Sequence, residues 1–550
     1  MINGETLKQA VISGAHNISV QKNHINDLNI FPVPDGDTGT NMSMTIMAAA
    51  KKLEEFDGTN AGEVAEITAS AMLRGARGNS GVITSILFRG FAQGLKDMEE
   101  VDGKSIVSAL GIGVEAAYKA VMKPTEGTIL TVARMAYEAG AEAVKKDASV
   151  LHVWQTITDA ANDALSLTPE LLPVLKKAGV VDAGGKGLCS IFEGMLSYIK
   201  DGVVVEYDET NAPTMETFDS AAAEFDDDIE FTYCTEFIVG RDASIETDPE
   251  ELRDFLKTIG DCVVVVNDDE IIKVHVHTEV PGNALSKGME FGQLLTVKVE
   301  NMKEQHKNAK AANQKAKKPD KETFTPAEPT EDFGFVAVAA GEGMKNLFME
   351  LGCTNVVSGG QSMNPSTDDI YEAVLATPAK NVLVLPNNKN IVLAAEQTVP
   401  MVTDRTVTIV PTRTIPQGLT ALLNFDPEIS AESNAQLMMD AAHNVGTGLV
   451  TFAARNSEFG GKKIKEGDII ALENGKLTIT EKNPVKALVK LAKNMVKRDT
   501  DFITLIYGED ISEDDAKKAY EELRDKFGSR TDIALVKGDQ PIYYFILSVE

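Results

Sequence analysis

Cysteine is scarce in this chain: four among 550 residues, Cys189, Cys234, Cys262 and Cys353, with no C-x-x-C among them. That scatter fits a reducing compartment better than a disulfide framework. Positive charge is also in deficit. A formal net charge of −30 leaves no pervasive phosphate-neutralising surface, which excludes general nucleic-acid binding. No uninterrupted apolar run approaches the ~20 residues that a membrane span needs. The opening Met1-Ile-Asn-Gly-Glu-Thr6 is polar, so neither a membrane span nor a signal peptide is expected, and a cytoplasmic protein is the expectation. Familiar nucleotide motifs are missing as well. Gly103-Lys104-Ser105 lacks the glycine five positions earlier that a Walker loop needs, Gly111-Ile-Gly-Val-Glu-Ala116 has no strand before it, and no kinase glycine-rich loop is followed by H-R-D.

What is present is an ordinary globular composition, 43% hydrophobic and 25% charged, at a length that implies roughly three domains. Residues 1–200 carry apolar residues at helical spacing, which predicts helices over 61–72, 81–95, 106–121, 128–145 and 153–165. Past them the texture changes. Strand-like runs at 202–207, 231–240, 262–266 and 271–277, a helix over 249–259 and a hairpin turn at 267–270 predict a small α+β middle domain over 201–307. A lysine-rich, apolar-poor stretch over 308–331 reads as a solvated linker, with an anionic docking patch as the alternative. In 332–550, strands beginning at Phe333, Val356, Asn381 and Thr406 alternate with helical patterns, which predicts a parallel α/β domain; further strands are expected at 468–472, 502–507 and 543–549.

The densest chemistry lies in Asn29-Ile-Phe-Pro-Val-Pro-Asp-Gly-Asp-Thr-Gly-Thr-Asn41. Asp35 and Asp37 flank Gly36, so a permissive turn aims two carboxylates at one small region. Hard oxygen ligands of this kind suit Mg²⁺, which takes one or two carboxylates together with substrate phosphates. Thr38, Gly39, Thr40 and Asn41 then offer hydroxyls and N–H groups at a helix start, where phosphate oxygens rest. The same residues also suit an Asx-turn capping the helix near Asn41. Arg74-Gly-Ala-Arg-Gly-Asn-Ser-Gly81 is a second phosphate-cradle candidate, in which Arg74 or Arg77 could meet phosphate charge; a glycine-rich helix junction is the plainer reading. Shorter glycine loops follow at 124–128 and 181–187.

His275 and His277 alternate on one predicted strand and so share a face, with Cys234 on a neighbouring strand, a soft set that suits structural zinc. Glu236 or Cys262 would supply a fourth ligand, and two metal-free surface histidines are the alternative. In the last domain, Ser358–Ser366 and Pro386–Asn390 follow strands directly, where open α/β sheets place their recognition loops.

The four glycine loops, in this order, resemble the phosphotransfer domain of dihydroxyacetone kinases. The resemblance implies an all-α barrel of eight antiparallel helices, of the dihydroxyacetone kinase L type, that binds ATP through Mg²⁺. Two members of the family's metal-binding carboxylate trio match Asp35 and Asp37, the residues on which catalysis would rest. The third falls at Asn29, where the family has an aspartate, so the number of Mg²⁺ ions stays open. Nucleotide contacts carry over onto Thr38, Gly39, Thr40 and Asn41, onto Asn79 and Ser80, and onto Asp182, Ala183 and Gly184.

The whole chain resembles the ATP-binding subunit of bacterial fatty acid kinase, through Asn29–Gly39, Tyr233-Cys-Thr-Glu-Phe237, Lys273-Val-His-Val-His277 and Gly359-Gly-Gln-Ser-Met-Asn-Pro-Ser366. That family phosphorylates a fatty acid carried by a separate DegV-type binding protein, giving acyl phosphate for phospholipid synthesis. It implies that the last domain docks the carrier. Phosphorylation of a small polyol such as dihydroxyacetone, or a nucleotide-sensing scaffold without turnover, are the rival expectations. A homodimer is compatible with the middle domain, and no residue pattern demands one.

Overall fold

The computed structural model describes residues 1–29, 36–121, 123–207, 232–241, 249–267, 271–301, 324–360, 364–454, 456–459 and 462–550. Asp35, the 268–270 turn and the lysine cluster 303–321 lie outside them, as do the side chains of Cys234, Glu236, Cys262, His275 and His277. Contacts gather the chain into two units, one made of Met1–Tyr207 with Glu322–Glu550, the other of Asp208–Lys321.

The first unit begins with a short antiparallel pair, β1 (Ile2–Asn3) and β2 (Glu100–Val101), and a set of helices. These are α1 (Gly4–Asp27), α2 (Thr38–Glu54), α3 (Ala61–Gly75), α4 (Gly78–Leu95), α5 (Gly103–Ala120), α6 (Ile129–Ala143), α7 (Val150–Leu171), the short α8 (Pro173–Ala178) and α9 (Ala183–Asp201). Polar side chains start several of them. Asn3, Asn60, Asp102 and Asp182 each accept an N–H from the first turn of the helix they precede, which satisfies donors that have no partner within the helix. The long helices touch in chain order, and α9 returns to pack on α1 and α7. Trp154 stands edge-on to Phe91 and Phe192 in their core, at 6.5 and 5.5 Å between ring centroids, a favoured aromatic geometry.

The strand expected over 202–207 does not form. Gly202 ends α9 in the left-handed conformation (φ 68°), and the segment beyond it runs along α1. There Val205 N donates to Ser13 Oγ (3.1 Å) and Val205 O lies 2.9 Å from His16 Nδ1. Side chains of a helix, not a neighbouring strand, satisfy this backbone.

In the second unit, β3 (Tyr233–Arg241), β4 (Gly260–Asn267), β5 (Ile271–Thr278) and β6 (Gly292–Asn301) form an antiparallel sheet in the order β4-β5-β3-β6. Helices Pro249–Ile259 and Pro281–Gly288 accompany it, and Phe237, Val239, Leu252, Leu256, Val274 and Phe291 fill its core.

The C-terminal part of the first unit holds two large sheets. β7 (Glu331–Ala339), β8 (Asn355–Ser358), β9 (Ala379–Leu385) and β10 (Thr406–Ile409) are parallel, in the order β10-β9-β7-β8. Val336 and Val338 of β7 belong to a core continuous with that of the helical domain. Phe335, Ala337 and Ala339 face the opposite core, as strand alternation requires. The remaining strands are β11 (Gly446–Phe452), the hairpin β12 (Ser457–Phe459) and β13 (Lys462–Ile464), β14 (Ile469–Glu473), β15 (Lys476–Glu481), β16 (Phe502–Tyr507), β17 (Asp532–Lys537) and β18 (Phe545–Val549). Six of them form the second sheet, β15-β14-β11-β18-β16-β17, in which only β16 and β17 pair in parallel. In the first sheet the chain reverses its winding between β7 and β9, which puts the switch point beyond their C-terminal ends, between the loops after β7 and β9.

Candidate functional site

A cavity of about 350 Å³ opens where four helices begin and where the loop after β9 meets them. Thr38 opens α2, Asn79 and Ser80 the first turn of α4, Thr128 and Ile129 the start of α6, and Asp182, Ala183 and Gly184 that of α9. Each helix is at least 15 residues long. Four helix starts and their positive dipole ends thus converge on one space, which favours an anion.

Asp37 immediately precedes α2, and its carbonyl accepts from Asn41 N at 2.8 Å. Asn29 at the end of α1 accepts from Thr38 Oγ1 (3.0 Å) and donates to Asn26 O (3.2 Å). Asn29, Asp37, Thr38 and Asn41 all line the cavity. Thr40 and Gly39 turn the other way. Asn26 takes both polar groups of Thr40, donating to Oγ1 at 2.9 Å and accepting from N at 3.2 Å. Gly39 packs so closely on α1 that a Cβ would sit 2.1 Å from Lys22 O. These contacts fix the start of α2 to the end of α1, and with it the position of Asp37. Gly78 has a similar role: its φ is +55°, and a Cβ would lie 2.5 Å from the side-chain nitrogen of Asn41.

Asp182 caps α9, accepting from Gly185 N at 2.7 Å, and its carboxylate also accepts from Ile129 N. It thereby ties the starts of α9 and α6 together. Burial pushes its pKa up to about 6, against the lowering effect of these two N–H groups.

The two arginines considered as phosphate partners are engaged elsewhere. Arg74 Nη1 lies 2.8 Å from Asp368 Oδ1. Arg77 Nη1 donates to Asn364 O at 2.8 Å, and its Nη2 is 3.6 Å from Asp369 Oδ2. Thr367 N donates to Ala76 O at 3.1 Å. The arginines therefore bind the helix Thr367–Leu375 to α3 and the α3–α4 junction, because its first turn presents the carboxylates of Asp368 and of Asp369, the latter in a capping box with Ser366.

Three site residues come from the C-terminal domain. Asn364 is 2% exposed; its Nδ2 donates to Asp37 Oδ2 at 2.5 Å, while its Oδ1 is buried with no partner among the described residues. Lys389 and Asn390 line the cavity, and Asn79 Nδ2 approaches Asn390 Oδ1 at 3.4 Å. Both loops stand out in the sequence as strand-end recognition loops. That they face the helical domain is not visible there. With the carboxylate of Asp37, held by Asn364, and the amide oxygen of Asn29 on the cavity wall, the donor set fits a hard divalent cation.

In the middle domain, the β3–β5 ladder sets Cys234 opposite His277 and Glu236 opposite His275. Among the described residues no group of three His, Cys, Asp or Glu side chains is placed to hold a metal ion, and no helix is long and apolar enough to cross a membrane.

Comparison with known proteins covers the whole chain. Residues 32–197 match the DAK2 domain, 230–309 the FakA-like middle domain of fatty acid kinase, and 334–550 the FakA-like C-terminal domain. Protein YloV of Bacillus subtilis is 40% identical, over 100% of this chain and 99% of its own. An uncharacterized protein of Staphylococcus haemolyticus is 38% identical with the same coverage. Among solved structures, a fatty-acid-binding DegV family protein from Thermus thermophilus is similar at 15% identity and TM-score 0.29, over 40% of this chain and 99% of that one. The dihydroxyacetone kinase of C. freundii is similar at 21% identity and TM-score 0.25, over 35% and 34% of the two chains. From its near-complete alignment with these relatives and its three domain matches, the chain belongs to the FakA-like family of fatty acid kinase proteins.

Proposed function

We propose that this chain binds Mg·ATP in the cavity among the four helix starts and transfers the γ-phosphoryl group to the carboxylate of a fatty acid held by a separate DegV-type protein. The product would be an acyl phosphate for phospholipid synthesis. The observation that carries this reading is the convergence of the α2, α4, α6 and α9 N-termini on a space that Asp37 lines. Phosphoryl transfer to a carboxylate needs no strong base, because the acceptor is already ionised at neutral pH. It needs alignment and charge neutralisation. Backbone N–H groups at the starts of α2, α4 and α9, with Asn79 and Ser80, would hold phosphate oxygens in place. Asp37, oriented by Asn364, with Asp35 before it and Asn29 would hold Mg²⁺, which supplies neutralisation across the phosphates.

The apolar cavity inside the helical domain, beside Phe88, Phe91, Trp154 and Phe192, measures about 20 Å³. That is room for about one water, which needs ~10–15 Å³ on the same measure, so an acyl chain does not fit in it. The test is ADP release by the full-length chain. Release only with fatty-acid-loaded carrier is expected, and turnover of free dihydroxyacetone, or tight ATP binding without turnover, would replace this reading. Asp35→Ala or Asp37→Ala should abolish turnover while carrier docking persists; undiminished activity in both refutes the metal assignment.

A structural zinc in the middle domain is a separate proposal, supported by the register of Cys234 with His277. Stoichiometric zinc retained in His275→Ala would count against it.

A further inference from the structure

A kinase site must neutralise phosphate charge, and the arginines of the helical domain nearest the cavity are committed to Asp368, Asp369 and the Asn364 carbonyl. Lys186, in the α9 glycine loop, is drawn toward Glu193 at 3.9 Å. Among the described residues lining the cavity, one carries a positive charge: Lys389, from the C-terminal domain. The loop that carries it is firmly built. Asn387, in the left-handed region at φ 55°, is buried; its N–H donates to Thr412 Oγ1 (3.2 Å), its Nδ2 to Val338 O (3.0 Å), and its Oδ1 accepts from Thr412 Oγ1 (2.8 Å). Asn388, also buried, donates to Gly360 O at 3.4 Å and accepts from Asn390 N at 2.9 Å. Two buried amides thus lock the turn that leads into an exposed lysine, and the next residue, Asn390, reaches Asn79 at the start of α4.

We propose that Lys389 is the cation that meets the phosphates of the bound nucleotide, so that the switch-point loop of the C-terminal domain completes the phosphate site of the helical domain. The inference rests on the Mg·ATP reading given above and extends it: neither domain alone would hold the whole phosphate site. A lysine on a rigid loop acts as a point charge on phosphate, with three donors, and among the described residues no carboxylate pairs with Lys389.

The experiment uses the full-length chain and its Lys389→Met and Lys389→Arg variants, with Asp37→Ala as a control. Mg·ATP affinity is measured by calorimetry, and kcat and KM with fatty-acid-loaded carrier. Lys389→Met is expected to bind Mg·ATP about tenfold more weakly and to lose about a hundredfold in kcat, the scale of one lost charge-stabilising donor. Lys389→Arg should recover most of both, which a merely structural role for the side chain would not require. Wild-type affinity and kcat in Lys389→Met, with Asp37→Ala inactive, would overturn this inference and leave the kinase reading intact. Absence of nucleotide binding by the unmodified chain would overturn both.

Discussion

Asn364 donates through Nδ2 to Asp37 Oδ2 at 2.5 Å, across 327 positions of chain. Its backbone carbonyl oxygen is held separately by Arg77 Nη1, at 2.8 Å. The α3–α4 junction therefore sets the position of Asn364, and Asn364 in turn orients the carboxylate proposed to hold metal. One loop of the C-terminal domain is part of the site's framework, not an appendage to it.

Asn364→Ala removes both the donor to Asp37 and the orphaned oxygen beside it. Partners that orient a metal ligand are typically worth 10–100-fold in metal affinity. The Mg²⁺ concentration for half-maximal turnover should rise by about that factor, with folding stability falling by only about 1 kcal/mol. An unchanged Mg²⁺ dependence would remove Asn364 from the site.

Arg77 and Arg74 both bridge to the helix Thr367–Leu375, yet their substitutions should differ. The Arg77 and Asp369 side chains are 21% and 29% exposed, those of Arg74 and Asp368 51% and 38%. Exposed pairs contribute at most about 1 kcal/mol. Arg77→Ala leaves Asp369 without its partly buried partner and the Asn364 carbonyl without a donor, a cost of roughly 2–3 kcal/mol. Urea unfolding of the two variants measures the difference, and equal midpoints would refute it.

The helices were legible because 3.6-residue periodicity and polar caps are local signals. The predicted helix over 61–72 becomes Ala61–Gly75, and that over 106–121 becomes Gly103–Ala120. Strand pairing was less so. β15 does carry a plain signal, since Asn474-Gly475, both at positive φ, form the two-residue turn from β14; β11 and β17 lack such a mark, and the placing of β18 between β11 and β16 is a long-range choice made by packing. Residues 202–207 misled because Val-Val-Val suits a strand, yet helix α1 supplied the partners. The loops at 29–41, 74–81 and 181–187 announced themselves through glycine and carboxylate spacing. Asn26 did not, and the loops of Asn364 and Lys389 showed only as strand-end recognition loops, since an asparagine or lysine acquires its meaning from what folding places opposite it.

Gly78→Ala tests how tightly the α4 start is fitted. A left-handed alanine costs roughly 1–2 kcal/mol, and here its Cβ would also displace the Asn41 amide, 2.5 Å away. The variant should lose about 2 kcal/mol of stability and most of its nucleotide affinity, because Asn41 lines the cavity. Calorimetric titration with Mg·ATP at a temperature where the variant stays folded separates the two effects. Unweakened binding would mean that the Asn41 side chain is dispensable.

Asp182 makes stability depend on pH in the direction opposite to a salt-bridged carboxylate. An unfolded aspartate titrates near 3.9, whereas burial pushes Asp182 up to about 6. Between those values the folded chain keeps a proton that the unfolded chain releases, so this group's contribution is fully present below pH ~4 and is lost as pH rises through 6. Asp182→Asn keeps a residue that caps helices well but cannot ionise. In the absence of nucleotide the variant should match the parent chain near pH 4 and exceed it by roughly 2–3 kcal/mol at pH 7, the equivalent of two pH units. Chemical denaturation at both pH values provides the comparison, and parallel stability curves would show that the carboxylate is not desolvated as its place at the starts of α6 and α9 implies.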